Sequence, residues 1–114
     1  NPAGIIEDGG YVFSLVAEGN VVGVCALFNQ DDGIYELARM AVCPESQGKG
    51  YGGRLMQCAL RKLEEIGAKK VYLLSNSELE SAIRLYRKHG FETVSTGTHP
   101  VYKRCNVVME KQIS

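Results

Sequence analysis

The sequence predicts an α/β fold with a mixed, largely antiparallel central sheet and flanking helices. Two observations support this class. Residues 11–42 contain three β-rich segments joined by short turns, and two later segments carry apolar residues at helical spacing. The chain of 114 residues contains no linker and no internal repeat, so residues 1–114 are predicted to form a single domain.

The three β-rich segments cover residues 11–17, 21–28 and 34–42. β-Branched, aromatic and other apolar side chains dominate them, which is typical of strands. Glu18-Gly19-Asn20 and residues 29–33 are rich in turn formers. Because short turns join antiparallel neighbours, we expect these strands to form an antiparallel meander.

The first predicted helix covers residues 50–66. Its apolar positions recur every three or four residues and are Tyr51, Leu55, Ala59, Leu63 and Ile66. Gly67 follows as the expected C-terminal stop.

The second predicted helix opens with a Ser77-x-x-Glu80 capping box and ends at Gly90. Its apolar positions are Leu79, Ala82, Ile83 and Tyr86. Short strands at 71–74, 92–94 and 106–111 complete a β-β-β-α-β-α-β-β order.

Composition argues against nucleic acid and membrane as partners. Lys plus Arg and Asp plus Glu number 13 each, so no net field attracts polyanions, and any anion site must be local. No apolar run approaches the ~20 residues of a membrane helix, and no secretory leader is visible. The chain opens at Asn1 without Met, which leaves a processed, disordered or missing N-terminal segment open.

The four cysteines are scattered, without a CxxC pair or the spacing of metal ligands. Their even number leaves two disulfides open. The chain does not resemble a small disulfide-stapled domain, so we expect reduced thiols, no metal and a cytoplasmic location.

The most informative segment is the glycine-rich stretch from Gln47 to Gly53, which lies between a predicted strand and a predicted helix. Glycines permit positive φ and close approach of a ligand. Successive N–H groups of such a turn, together with the unpaired N–H groups of the helix N-terminus, form a cradle for a phosphate or pyrophosphate. A glycine turn without any ligand is the alternative.

Two other phosphate motifs fit poorly. A Walker A loop requires a hydroxyl residue after its lysine, and Lys49 is followed by Gly50. A dinucleotide fingerprint requires an acidic residue after the second strand, whereas Leu74 is followed by Ser75 and Asn76. A nucleotide-binding module is therefore disfavoured.

Two motifs together resemble a known family. The pattern Gln47-x-x-Gly50-x-Gly52, preceded by Met40-Ala41-Val42-x-Pro44, is similar to the coenzyme A signature of the GNAT superfamily of N-acetyltransferases. The segment from Ala82 to Phe91 is similar to the Ala-x-x-Leu-Tyr-x-Lys-x-Gly-Phe ending of the same family. The resemblance covers most of the chain. It lacks the family's usual N-terminal strand and helix pair.

The resemblance implies acetyl-CoA as co-substrate and a splayed sheet in which the third strand pairs with the pantetheine arm. The implied cofactor-binding residues are Met40, Ala41, Val42, Gln47, Gly48, Lys49, Gly50, Tyr51, Gly52, Gly53, Asn76 and Lys88. Many members carry Asn at the position of Leu79, and Asn76 is the candidate to replace that polar contact.

The resemblance also implies two catalytic residues. Tyr86 matches a tyrosine that assists departure of the cofactor thiol, and Glu36 matches the position of the base in histone-modifying members. A phenol with a pKa of about 10 is a weaker acid than a thiol with a pKa of about 8.5, so we expect a strong hydrogen bond rather than early proton donation. The alternatives are a core aromatic residue and a solvent-facing glutamate. Tyr102, Arg104 and Asn106 are either acceptor contacts or an ordinary polar strand edge.

The predicted function is transfer of an acetyl group from acetyl-CoA to a small-molecule or peptide amine by direct attack in a ternary complex. A coenzyme A-binding sensor or regulatory module without catalysis is the alternative. The sequence does not name the acceptor, and a homodimer stays open.

Overall fold

The computed structural model describes residues 2–97 and 105–114. The helices of this part are α1 (Pro2–Glu7), α2 (Tyr51–Glu65) and α3 (Glu80–Lys88), with a 3-10 turn at Pro44–Ser46. The strands are β1 (Tyr11–Ala17), β2 (Asn20–Asn29), β3 (Ile34–Val42), β4 (Lys70–Ser75), β5 (Glu92–Thr96) and β6 (Val107–Gln112).

The strands form one six-stranded sheet in the order β1-β2-β3-β4-β6-β5. β1, β2 and β3 pair antiparallel, as the short turns predict. β3 and β4 pair parallel, and β6 lies antiparallel between β4 and β5. The prediction of a mixed, largely antiparallel sheet with flanking helices is confirmed.

Both longer helices pack on the same face of this sheet. One core cluster contains Leu55 and Leu63 of α2, Ile83 of α3 and alternate residues of the inner strands, such as Leu27 and Val71. On the edge strand β1, Val12 and Val16 are exposed. The amphipathic pattern of α2 is therefore explained by its packing on one face of the sheet.

Helix α1 was not predicted. Six residues with a proline and a glycine carry little intrinsic helix signal, and isolated helices of this length are marginal. Its C-terminal end is closed locally, where the N–H of Gly10 donates to the carbonyl of Ile5 at 2.8 Å. The side-chain amide of Asn29 also donates to the carbonyl of Asp8 at 3.0 Å.

The predicted capping box at the start of α3 is wrong. The N-cap residue is Leu79, and no side chain caps this helix. The backbone N–H of Ser77 instead donates to Oδ1 of Asn106 at 2.8 Å. Leu79, placed on the apolar helix face by its spacing, is 56% exposed. Ser77 therefore joins the β4–α3 connection to the start of β6, which local sequence spacing does not reveal.

A β-bulge interrupts β3 beside β2. Val24 pairs with Ala41 and Ala26 pairs with Ala38, so Cys25 alone lies opposite two residues, one of which is Arg39. Arg39 adopts a left-handed φ of 55°. Such an extra residue moves every following side chain to the other face.

The packing of β3 reflects this change. Tyr35 and Leu37 contact the core before the bulge, and Met40 and Val42 contact it afterwards. Uninterrupted alternation from Leu37 would have directed Arg39 into the core.

Candidate active site

The sheet splays open between β3 and β4. The parallel pairing covers only Ile34–Lys70, Tyr35–Val71 and Glu36–Tyr72. Beyond Glu36, β3 runs on to Val42 without a β4 partner, and its backbone edge faces an opening. This geometry matches the separation of strands that the resemblance implies.

The opening is a groove with two lobes. The inner lobe is a cavity of about 590 Å³ between β3, the end of β4 and α3. The outer lobe, about 820 Å³, extends along the glycine-rich loop and the start of α2. Met40, Glu78 and Leu79 line both lobes, so the two lobes adjoin.

The glycine-rich loop forms one end of the outer lobe. Gly48 and Gly50 have φ of 83° and 79°, and Gly50 is the N-cap of α2 without a side-chain cap. The first intrahelical bond is donated by Arg54 to the carbonyl of Gly50 at 3.1 Å. The N–H groups of Tyr51, Gly52 and Gly53 therefore have no intrahelical acceptor. They lie at the positive end of the helix dipole, where an anion is stabilised.

Gln47 closes the loop onto the preceding strand. Its side-chain amide donates to the carbonyl of Val42 at 3.2 Å, which fixes the turn. Gly52 permits close packing of α2 on α3, because a Cβ there would lie 3.2 Å from Cδ2 of Leu85. Among the predicted cofactor residues, Met40, Ala41, Val42, Gln47, Gly48, Gly50, Tyr51, Gly52 and Gly53 all line the outer lobe.

Lys49 and Lys88 are not brought into the groove. Lys49 is exposed on the loop and lines neither lobe. Lys88 is exposed at the C-terminal end of α3. Neither ammonium group therefore contributes to the groove wall among the residues that line the two lobes.

Tyr86 lies in the wall of the inner lobe. Its ring packs against Phe91 with centroids 5.9 Å apart. Burial raises the pKa of its phenol, and the nearby Cys25 thiol raises it further. The hydroxyl is therefore protonated at neutral pH and suited to donate a hydrogen bond. The two interpretations of Tyr86 are compatible, because the residue contacts the core and lines the cavity.

Glu36 lies at the apex of the opening and lines neither lobe, whereas Asn76 lines the inner lobe. Glu36 pairs with Tyr72 at the last register position before the strands separate, next to Leu37 of the cavity wall. Asn76 follows the last residue of β4 and lines the inner lobe. Its Oδ1 accepts a hydrogen bond from the N–H of Glu78 at 2.8 Å, which shapes the turn before α3.

Sequence reasoning missed several groove residues. Arg39 and Cys105 line the inner lobe, and Glu78 and Leu79 line both lobes. The sheet face on which the Arg39 side chain lies depends on the bulge in β3. A helix capped by Ser77 would begin at Glu78, whereas α3 begins at Glu80. Glu78 and Leu79 therefore precede the helix and line the groove.

The remaining predictions concern the cysteines, metal ions, membrane helices and residues 102–106. The four cysteines carry free thiols in this structure. Within residues 2–97 and 105–114, no group of three or more His, Cys, Asp or Glu side chains could hold a metal ion. None of the helices described combines the length and apolar character needed to cross a membrane. Tyr102 and Arg104 lie outside the described residues, and the side chain of Asn106 bonds to Ser77.

His89 has a lowered pKa. It is the C-cap of α3, where the helix dipole favours a positive charge. Partial burial nevertheless lowers its pKa, and the charges of Lys88 and Lys111 lower it further. Desolvation and two like charges therefore both favour the neutral imidazole at this position.

The mixed sheet, its splay after Glu36 and the glycine-rich loop before α2 match the architecture that the resemblance implies. A family model described as an acetyltransferase (GNAT) domain matches residues 8–93, which is more than half of the chain. The chain belongs to the GNAT acetyltransferase family.

Relatives and solved structures agree with this membership. The chain is 36% identical over 80 residues to YjgM, an uncharacterized N-acetyltransferase of Escherichia coli K12; the match covers 68% of this chain and 48% of the relative. The chain thus spans about half the length of the curated relatives it matches.

Two crystal structures share the fold at low sequence identity. A GNAT acetyltransferase from Staphylococcus aureus Mu50 superposes with a TM-score of 0.86 and 20% identity, covering 96% of this chain and 71% of that one. A Bacillus subtilis acetyltransferase solved in complex with CoA has a TM-score of 0.80 and 20% identity, covering 98% and 82%.

Proposed function

We propose that this chain binds acetyl-CoA in the two-lobed groove and transfers the acetyl group to a primary amine by direct attack in a ternary complex. The observation that carries this proposal is that two adjoining lobes extend from the uncapped N-terminus of α2 to Tyr86. The Bacillus subtilis neighbour, which shares the fold, was solved with CoA bound. That likeness supports a CoA thioester as the occupant.

The proposed placement follows the chemistry of the ligand. The pyrophosphate occupies the cradle of Gly48 to Gly53, where N–H groups and the helix dipole stabilise its charge. The pantetheine arm runs along the unpaired edge of β3 as an added strand. The thioester then lies in the inner lobe beside Tyr86.

The acceptor must lose a proton before it attacks. Freeing the lone pair of an ammonium group with a pKa of about 10.4 costs roughly 4.6 kcal/mol at pH 7. Glu36, at the apex of the opening, is the proposed general base, acting directly or through water. The amine nitrogen forms a bond to the acetyl carbonyl carbon, and the carbon–sulfur bond then breaks.

Tyr86 acts on the leaving group in this mechanism. Its phenol has a raised pKa and stays protonated, so it donates a hydrogen bond to the developing thiolate. The thiolate takes its proton late, from solvent or from the phenol. Backbone N–H groups near Ala41 and Val42 are proposed to polarise the thioester carbonyl.

Calorimetric titration with acetyl-CoA tests the binding step. Gly50→Glu places bulk and negative charge in the cradle, and we expect micromolar affinity in the wild type to be abolished. Gly67→Glu is the matched control, since Gly67 follows the opposite end of α2 with a similar φ of 72° and also has open space around its Cβ. Equal loss of binding in both variants, or no binding by the wild type, would contradict the proposal.

Release of CoA thiol with a panel of amines tests the transfer step. Acetylation of an amine identifies a catalyst. Tight binding of acetyl-CoA without turnover of any amine would instead support the alternative, a CoA-binding module without catalysis.

A further inference from the structure

Arg39 lies at the most unusual backbone position of β3. Its φ of 55° is left-handed, a conformation that residues with a side chain rarely adopt within a strand. Such conformations persist where surrounding structure holds them, and they cluster at ligand sites. Here the pairing of β3 with β2 on both sides of the bulge holds Arg39 in place.

The bulge directs the guanidinium group to the sheet face opposite α2 and α3. Its central carbon lies 5.3 Å from the centroid of the Phe28 ring. Phe28 alternates with the core residue Leu27, so its ring belongs to that opposite face. Stacking on an aromatic ring orients a guanidinium and leaves its edge N–H groups available.

This guanidinium has no carboxylate within 4 Å among the residues that the structure describes. Arg39 and Phe28 line a small cavity of about 330 Å³ together with residues of α1. Among the described residues of this cavity, Asp8 is the acidic one. Arg39 also lines the inner lobe, together with Tyr86. Arg39 therefore lies at the boundary between the inner lobe and a second cavity on the far side of the sheet, and its guanidinium group is on the far side.

The charged residues of the inner lobe complement a zwitterion. Among the residues that the structure describes, its lining includes one cationic residue, Arg39, and one acidic residue, Glu78. A guanidinium group can bind a carboxylate through two parallel hydrogen bonds. The remaining lining of the inner lobe, including Leu37 and Leu74, is largely apolar. A polycationic amine would meet the like charge of Arg39.

We propose that Arg39 binds a carboxylate of the acceptor, so that the acceptors are amines carrying a carboxylate, the amino acids being the simplest class. This inference rests on the acetyl transfer proposed above. In it, Arg39 orients the acceptor while its amine approaches the thioester.

Matched pairs of acceptors test the inference. Glycine, β-alanine, γ-aminobutyrate and glutamate are each compared with the corresponding carboxamide, and kcat/KM is measured by thiol release. We expect the wild type to prefer at least one acid over its carboxamide by roughly 10- to 100-fold, the range of a charge-assisted hydrogen-bond pair. Arg39→Gln should remove most of that preference, and Arg39→Lys should retain part of it.

Two control variants separate recognition from structure. Arg61→Gln removes an exposed arginine of α2 and should keep the acid-to-amide ratio of the wild type. Asp8→Asn removes the acidic residue of the smaller cavity and should keep or increase the ratio. A preference for spermidine over every amino acid, or an acid-to-amide ratio unchanged in Arg39→Gln, would overturn the inference.

A binding measurement distinguishes this inference from the proposed function. If no amine is acetylated, the transfer proposal fails, and the CoA-loaded protein is titrated with N-acetylglycine and N-acetylglycinamide. Tighter binding of the acid, lost in Arg39→Gln, would still support carboxylate recognition. Equal binding of the two ligands, or binding of neither, would reject it.

Discussion

The side-chain amide of Asn106 makes two hydrogen bonds to Ser77. Its Oδ1 accepts from the backbone N–H of Ser77 at 2.8 Å, and its Nδ2 donates to the hydroxyl at 3.1 Å. Ser77 precedes Glu78 and Leu79, which line both lobes of the groove. The start of β6 therefore positions one wall of the candidate active site.

Asn106→Ala should loosen this wall. Loss of both hydrogen bonds is expected to cost about 1–2 kcal/mol of unfolding free energy and to weaken acetyl-CoA binding several-fold. Urea denaturation and calorimetry measure the two effects. Asn20→Ala is the control, because the Asn20 amide bonds within the β1–β2 turn, to the carbonyl of Glu18 at 3.4 Å. Equal acetyl-CoA affinities of the two variants would show that the hydrogen bonds between Ser77 and Asn106 do not shape the groove.

Tyr86→Phe should lower kcat by about 100-fold with little change in the dissociation constant of acetyl-CoA, because it removes one donor to the developing thiolate. Because the pKa of Tyr86 is raised, we expect that its ionisation does not affect the pH dependence of kcat around neutral pH. Steady-state kinetics and calorimetry check both statements. Tyr35→Phe alters a tyrosine that packs against the core on β3 and should leave kcat unchanged. An undiminished kcat in Tyr86→Phe would exclude the proposed role.

Glu36→Gln should lower kcat/KM by about 100-fold at neutral pH, since the amide cannot accept the amine proton. Because a more basic solution supplies free amine, the deficit should shrink as pH rises. Glu64→Gln, on the exposed side of α2, is the charge-matched control. A deficit that is independent of pH would assign Glu36 a structural role.

His89 should make stability depend on pH. Its folded pKa lies below the ordinary value of 6.5, so the unfolded chain takes up the proton first as pH falls. The contribution is fully present above pH 6.5 and is lost as pH falls through the lower folded pKa. Thermal unfolding between neutral and mildly acidic pH should show a smaller decrease in Tm for His89→Gln than for the wild type. Parallel curves for the two proteins would contradict the assigned pKa direction.

Leu63→Ala should destabilise the fold strongly. Leu63 is fully buried where α2 meets the sheet, and its truncation leaves a cavity that costs about 2–5 kcal/mol. Leu79→Ala, at a residue that is 56% exposed, should change the unfolding free energy by less than about 0.5 kcal/mol. Urea denaturation compares the two variants, and similar midpoints would refute the proposed core.

Much of the candidate site was accessible from sequence because its components are local. The glycines of the Gln47–Gly53 stretch, the helix that follows and the position of Tyr86 on α3 depend on residues close in the chain. The roles assigned to Glu36 and Tyr86 remain predictions. Lys49 and Lys88 show the limit of motif transfer, because matching a pattern did not place either side chain in the groove.

The sequence by itself determined the order of strands and helices from β1 to β6, since turn residues and apolar periodicity act over a few neighbouring residues. Tertiary structure alone decided three features. They are the splay after Glu36, the bulge that places Arg39 on the sheet face opposite α2 and α3, and the hydrogen bonds between Ser77 and Asn106. Each depends on strand pairing or hydrogen bonding between segments distant in the chain. Register between such segments is set by how the whole sheet packs, which local spacing does not encode.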